Sequence, residues 1–130
     1  MAVPLGLLAG APGPPTSQEV RVFRAASAEE LTDIAHTGEL RAHPDGKHYE
    51  GKLFAASAVD AAAFGRDFVM RYSESPIFTL AVDLAGNTDF LFPTWADARR
   101  VFAVDREDMA ALNAAAVRVV ALDWNEWRLH

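Results

Sequence analysis

The chain has no cysteine and has fewer basic than acidic residues. Each of these two facts excludes some classes of protein. With no cysteine among 130 residues, disulfide bonds, thiolate catalysis and cysteine-ligated zinc are excluded. Lys and Arg number 12 against 18 Asp and Glu, which gives a net charge of −6. General nucleic-acid binding and docking on an anionic membrane both need a basic face, so we expect neither. No apolar run reaches the roughly 18 residues of a membrane span.

The sequence also lacks the short motifs of several enzyme classes. It contains no GxSxG, P-loop, GxGxxG or HExxH motif, so serine-hydrolase, NTPase, Rossmann and zincin interpretations have no local support. The spacing of His36, His43 and His48 matches no compact zinc signature. We therefore predict no metal site. We also consider His48 and Tyr49 as a pair that contacts a substrate.

The first residues, MAVPLGLLAGAPGPP, combine a short apolar run with Gly and Pro. They lack the basic start of a signal peptide, and Pro and Gly oppose both helix and strand. We predict a flexible leader or linker over residues 1–18, with a signal-like segment and a packed extension as alternatives. Residues 19–130 then form a single domain of ordinary size.

Alternation and capping signals predict the order of elements in this domain. Residues 20–26 alternate as a half-buried strand, and Ser27 and Glu30 form a capping box for a helix that ends near Gly38. The nearly continuous apolar run at 77–84 predicts a central strand. The other predicted elements are a strand at 52–57, a helix from Ser57 or Asp60, strands at 90–92 and 100–104, a helix at 107–115 capped by Asp105, and a strand at 117–122.

This order indicates an α+β fold in which two to three short helices pack on a split, mostly antiparallel β-sheet. The early β-α-β-α order also fits the beginning of a parallel α/β sheet. The later strands, however, lack crossover helices long enough to continue such a sheet.

Cationic and hydroxyl side chains fall near the ends of the two early strands. Arg24 offers a planar fork to phosphate or ribose oxygens, and Lys52 and Ser57 lie at either end of the second strand. The alternatives are that Arg24 faces solvent or pairs with an acid, and that Ser57 only caps the following helix. The carboxylates considered for glycosyl chemistry are Glu74, Asp83, Asp97, Asp105, Glu107 and Glu126.

The segment VFRAASAEELTDIAHTGELRAHPDGKHYEGKLFAASAVDAAAFG resembles the N-terminal half of ADP-ribosyltransferase-like toxin domains of bacterial polymorphic and Rhs-type toxins. The resemblance rests on Phe23-Arg24, on Thr37-Gly38, on GKLFAAS at 51–57 and on AAFG at 62–65, and it covers about a third of the chain. It implies a split sheet that holds NAD in its cleft. The implied activity is transfer of ADP-ribose to a macromolecular target, or hydrolysis of NAD.

The resemblance also implies roles for individual residues. Arg24 would contact the NAD phosphates or ribose, with Lys52 and Ser57 supporting the cofactor site, and Phe54 or Phe64 would lie against nicotinamide. A glutamate on a later strand would stabilise an oxocarbenium-like transition state. No Q-x-E or E-x-E occurs on a later strand, and Glu107, which a helix start also favours, is the nearest substitute.

Partners and location follow from the same resemblance. It implies a protein target, a neutralising immunity protein, and a location in the cytoplasm or, as part of a larger toxin, in a target cell. The departure at the catalytic glutamate leaves a second hypothesis open. The chain would then be a non-catalytic binding module of the same fold, either an inactive relative or a partner-binding protein of a toxin system.

Overall fold

The computed structural model describes residues 7–9, 13–41, 51–67, 77–96 and 99–122. The elements, in chain order, are β1 (Leu7–Ala9), β2 (Glu19–Ser27), α1 (Ala28–Thr37), β3 (Lys52–Phe54), α2 (Ala58–Asp67), β4 (Ile77–Ala85), β5 (Phe92–Ala96), β6 (Arg99–Val104), α3 (Met109–Ala115) and β7 (Ala116–Ala121). A 3₁₀ turn over Arg106–Asp108 precedes α3. None of the helices in these ranges combines the length and apolar character that crossing a membrane requires.

The strands of the described ranges form two sheets. One has four strands in the order β1-β7-β4-β2, and the other has three in the order β3-β6-β5. Every pairing is antiparallel except that of β1 with β7. The prediction of an α+β, mostly antiparallel arrangement with up to three short helices is confirmed at this level, and the parallel α/β alternative is wrong for these residues.

The central strand of the larger sheet is β4, as its apolar run predicted. It lies between β7 and β2 and is buried at every position except the last, Ala85. Burial on both faces explains the lack of alternation in its sequence. The core around it draws on both sheets and on α1 and α3, and its fully buried members include Val22, Ile34, Phe54, Leu80 and Leu112.

A short strand lies within the range predicted as a flexible leader or linker. The backbone of β1 pairs in parallel with β7, with Leu7 opposite Val119. Further along, Arg21 Nη2 donates to the carbonyl oxygen of Gly13 at 2.6 Å. Residues 7–9 thus form a strand, because the outer edge of β7 offers backbone partners to a short apolar stretch in spite of the Gly and Pro around it. The leader or linker at 1–18, with a packed extension as one alternative, stays a prediction.

Three later boundaries also differ from the sequence predictions. The strand expected at 90–92 is a turn that leads into β5, which begins at Phe92. Pro93 is tolerated within β5 because that strand lies at the edge of its sheet, where a missing N–H need not break a ladder. The strand expected at 52–57 ends at Phe54, and the helix expected at 107–115 starts as the 3₁₀ turn.

Candidate functional site

The predicted cofactor-binding residues of the two early strands lie where the two sheets meet. Phe23 N–H donates to the Ala55 carbonyl oxygen at 2.9 Å, and Ala55 N–H donates to the Phe23 carbonyl oxygen at 2.6 Å. This exchange brings Arg24, the neighbour of Phe23, beside Phe54, the neighbour of Ala55. The guanidinium carbon of Arg24 lies 6.0 Å from the centroid of the Phe54 ring, at the limit of a cation–π contact.

A small pocket lies at this junction. Its lining includes three of the predicted residues, Arg24, Phe54 and Phe64, together with Ala61 and Val101. Ala61 and Phe64 are three residues apart on α2, so the helix presents both on one side. The pocket has a volume of about 10 Å³, which is room for about one water molecule. The pocket is therefore too small to enclose a nucleotide.

Arg24 is held by an internal carboxylate that the sequence analysis did not assign to it. Nε donates to Glu30 Oε2 at 2.6 Å, and Nη2 donates to Glu30 Oε1 at 2.7 Å. Nη1 donates to the Leu53 carbonyl oxygen at 3.0 Å. The alternative that Arg24 pairs with an acid is thus what the structure has. A guanidinium carries five N–H groups, and the remaining two donate to no residue within the described ranges.

Lys52 shares the same carboxylate. It begins β3, only 4% of it is exposed, and Nζ donates to Glu30 Oε1 at 3.1 Å. Burial lowers the pKa of Lys52 to about 8, and the charge of Arg24 acts in the same direction while Glu30 opposes it. The side chain of Lys52 therefore serves as a counter-ion inside the protein, and it is not among the residues that line the pocket.

Glu30 joins the two cations into a group of three that we call the ion triad, namely Arg24, Glu30 and Lys52. Burial acts to raise the pKa of Glu30, but the charges and hydrogen bonds of Arg24 and Lys52 outweigh it and lower that pKa to about 2. Glu30 is therefore ionised at neutral pH, and the ion triad carries a net charge of +1 while Lys52 is protonated.

The sequence analysis placed Glu30 in a capping box, and only half of that box forms. Ser27 Oγ accepts the Glu30 N–H at 3.2 Å, as predicted. The Glu30 carboxylate, however, bonds to the two cations and not to the Ser27 N–H. A strand arginine three residues before the cap is the sequence signal that points to this competition.

Ser57 has the local role that the sequence analysis held as its alternative. Its Oγ accepts the Asp60 N–H at 3.1 Å, and its carbonyl oxygen accepts the Ala61 N–H at 3.1 Å. Both bonds cap the first turn of α2. Ser57 is not among the residues that line the pocket, so it supports the site through the position of α2.

The candidate carboxylates that fall within the described ranges, Asp83, Asp105 and Glu107, are not among the residues that line the pocket. Glu107 is exposed in the 3₁₀ turn after β6. Asp83 is bonded by Arg21 and Arg118 through both of its oxygens, which is a framework arrangement. Asp105 is exposed just before the 3₁₀ turn. Outside the described residues lie Glu74, Asp97, Glu126, His43, His48 and Tyr49.

Within the described ranges, neither a metal-binding group nor a likeness to a known protein adds a residue to the candidate site. In the part of the chain that the structure describes, no three His, Asp or Glu side chains are grouped so as to hold a metal ion. Comparison of the chain with protein-family models, with curated proteins and with solved structures finds no match. The candidate site therefore depends on the geometry of the sheet junction.

Proposed function

We propose that the domain binds NAD and is an ADP-ribosyltransferase-like effector that transfers ADP-ribose to a macromolecular target or hydrolyses NAD. The observation that supports this most is a convergence of residues. Arg24, Phe54 and Phe64 lie on three different elements, β2, β3 and α2, and they line one pocket. The protein target, the immunity protein and the delivery into a target cell belong to the same proposal.

Each of the three residues has a distinct part in this proposal. Arg24 directs its two remaining N–H groups at the pyrophosphate, where charge-assisted bonds are strong. Phe54 is 1% exposed, so in this proposal it packs near the guanidinium of Arg24 on the buried side and does not contact the ligand. Phe64 is only half-buried and is the ring that we assign to the nicotinamide contact.

Glu107 is the carboxylate that we propose for the chemical step. It follows β6 by three residues, and the last residue of β6, Val104, is paired with Lys52 of the ion triad. Glu107 thus follows the strand at the end where the ion triad lies. A carboxylate that reached the nicotinamide ribose would stabilise the positive charge of an oxocarbenium-like transition state.

The proposal is tested by titration with NAD and by incubation with labelled NAD. Arg24→Lys should weaken NAD binding about ten- to hundred-fold, because an ammonium cannot reproduce the paired N–H groups of the fork. Arg41→Lys is the matched control, since Arg41 is exposed and pairs with Asp33 instead. Absence of NAD binding by the wild type at millimolar concentration would sink the proposal.

The second candidate, a non-catalytic binding module, is favoured by one observation. No carboxylate of the described residues lines the pocket. In that case NAD should bind without any turnover, and Glu107→Gln should behave like the wild type in every assay. Expression separates the two candidates as well. An active effector should be tolerated far less than its Arg24→Ala variant in a host without a neutralising partner, whereas a binding module should express equally.

A further inference from the structure

The outer edge of β5 pairs with no other strand of the described ranges. β5 is the last strand of the sheet whose order is β3-β6-β5. Its sequence, FPTWA, has no charged side chain, and Phe92 and Trp95 are 64% and 71% exposed. Charged side chains commonly protect the edge of a sheet from other strands. An uncharged edge with two exposed aromatic rings is therefore suited to accept one more strand.

Pro93 shows which backbone groups of β5 point outward. It lies opposite Phe102 of β6, and because proline has no N–H, these two residues cannot exchange two hydrogen bonds. Hydrogen-bonded and non-hydrogen-bonded pairs alternate along an antiparallel ladder, so β5 bonds to β6 through its even-numbered residues. The carbonyl oxygen of Pro93 and both backbone groups of Trp95 therefore point away from β6, towards the free edge.

We propose that two copies of this chain associate through β5, in an antiparallel pair whose two-fold axis passes at Thr94. This inference does not depend on the proposed function. The outward groups of the two copies must face each other, which leaves few registers. Pro93 opposite Pro93 has no donor, and Trp95 opposite Trp95 pairs only three residues of each β5. Trp95 opposite the second copy's Pro93 pairs all five residues, and each Trp95 N–H donates to a Pro93 carbonyl oxygen.

The side chains also match in this register. Residues directly opposite each other share a face of the sheet, so the Pro93 ring of one copy lies beside the Trp95 indole of the other. On the opposite face, Phe92 lies beside the second copy's Ala96. The two three-stranded sheets would thus become one sheet of six strands, with its apolar edge residues at the centre.

Charge does not oppose the contact locally, although each chain has a net charge of −6. Neither β5 nor β6 has a carboxylate, and β6 places Arg99 and Arg100 opposite the end of β5. The two copies of Arg100 would be separated by three strand spacings of about 4.8 Å each, or roughly 15 Å. This exceeds the Debye length of about 8 Å at physiological salt.

The exposed area sets the strength of the association. An aromatic side chain buries about 150–250 Å², so Phe92 and Trp95 of two copies together offer on the order of 500 Å². Stable interfaces bury about 1,200–2,000 Å². We therefore expect a weak dimer, which dissociates at low micromolar concentration and forms as the concentration approaches about 1 mM.

Thr94 at the two-fold axis supplies the test. Thr94→Lys or Thr94→Glu alone places two like charges directly opposite each other, which should weaken dimerisation at least about tenfold. An equimolar mixture of the two variants should associate again, as a heterodimer. Sedimentation equilibrium between about 10 μM and 1 mM measures this. Val59→Lys and Val59→Glu are the matched controls at a position 78% exposed on α2, and they should associate like the wild type.

Hydrogen exchange gives a second measurement that needs no variant. The Trp95 amide should exchange more slowly as the concentration rises, whereas the Thr94 amide, which points towards β6, should not change. This measurement decides the matter if thermal melts show that the variants at the half-buried Thr94 do not fold.

Four results would overturn the proposal. They are a wild type that stays monomeric up to about 1 mM, a folded Thr94→Lys variant that dimerises like the wild type, a mixture of folded Lys and Glu variants that stays monomeric, and a dimer in which the exchange of the Trp95 amide is unchanged. The second and the fourth would place the contact on another surface of the chain.

Discussion

Phe23 and Ala55 exchange two backbone hydrogen bonds, with N···O distances of 2.9 and 2.6 Å, and through this exchange the four-stranded sheet joins the three-stranded one. Phe23 lies in the middle of β2, and Ala55 directly follows β3. The bridge therefore fixes the offset between the sheets. Since Arg24 and Phe54 are the chain neighbours of these two residues, the same bridge sets the geometry of the pocket.

Removal of one N–H from this bridge should weaken the junction between the two sheets and so destabilise the protein. Ala55→Pro removes the donor to the Phe23 carbonyl oxygen, and we expect it to lower the free energy of unfolding by about 3 kcal/mol. Ala55→Gly is the control, because it keeps the N–H and should lose only about 1 kcal/mol through backbone entropy and a lost methyl group. Urea unfolding measures both. Equal losses in the two variants would show that the bridge contributes nothing.

How far the fold follows from the sequence differs between central and peripheral strands. The limits of β2 and β4 were predicted within one residue, since alternation in one and a continuous apolar run in the other reflect burial directly. β5 was placed wrongly, because Pro93 and the nearby turn residues oppose a strand locally. Its pairing with β6 is a tertiary contact that local sequence does not record.

Prediction of the candidate site is limited in the same way, because local sequence does not record tertiary contacts. Arg24 was a candidate from its place on a strand and Phe54 from the family resemblance, and the Phe23–Ala55 bridge brings the two close together. The ion triad was missed because a capping box is a local signal, whereas Lys52 comes near Glu30 only after the sheets join. Three bonds from two cations are together stronger than the single bond that the Glu30 carboxylate would accept from the uncharged Ser27 N–H, so the tertiary contacts prevail.

Asn113, which the sequence analysis did not single out, ties α3 to the segment after α1. Its Oδ1 accepts the Leu40 N–H at 2.7 Å, and its Nδ2 donates to the Leu40 carbonyl oxygen at 2.8 Å. Leu40 is fully buried, so Asn113→Ala removes the side-chain partner of both its backbone groups and should lower the free energy of unfolding by about 2–4 kcal/mol. Asn87→Ala, at an exposed asparagine, should lose at most about 1 kcal/mol in the same urea titration.

Gly65 packs α2 tightly against the larger sheet. A Cβ atom added there would lie 2.9 Å from Ala25 Cβ and 2.9 Å from Ile77 Cγ2. Alanine favours a helix by about 1 kcal/mol over glycine, but overpacking typically loses about 1–3 kcal/mol, so we expect Gly65→Ala to lower the melting temperature. Gly13→Ala, where the new atom meets nothing within 4 Å, should not. A higher melting temperature for Gly65→Ala would contradict this packing.

Glu30 should make the stability of the protein fall at acid pH. Its folded pKa of about 2 is below the ordinary value of 4.5, so the unfolded chain takes up the proton first as the pH falls. The stabilisation is complete above about pH 4.5 and is lost progressively towards pH 2. The difference between the two pKa values corresponds to about 3 kcal/mol.

The measurement that isolates this effect is the difference in unfolding free energy between the wild type and Glu30→Gln. The amide cannot titrate, so other carboxylates contribute equally to both proteins and cancel. We expect the difference to be constant from pH 7 to about 5 and to shrink steadily below pH 4.5. A difference that stays the same down to pH 2.5 would mean that Arg24 and Lys52 do not hold Glu30 ionised.

Asp83 should prove to be a framework residue, although it was among the carboxylates considered for catalysis. It is 1% exposed on β4 and lies in register between Arg21 on β2 and Arg118 on β7. Arg21 Nε and Nη2 donate to its two oxygens at 2.6 and 3.0 Å, and Arg118 donates to one of them. These bonds hold the pKa of Asp83 below its usual range in spite of its burial.

Asp83→Asn removes the charge that the two arginines share and leaves them to repel each other. We expect it to lower the free energy of unfolding by about 3 kcal/mol and, at a temperature where the variant is folded, to leave NAD affinity unchanged. Phe64→Ala should give the opposite pattern, because Phe64 lines the pocket and is only half-buried. Thermal melts and NAD titrations of both variants separate the two roles. A folded Asp83→Asn variant with weakened NAD binding would return Asp83 to the candidate site.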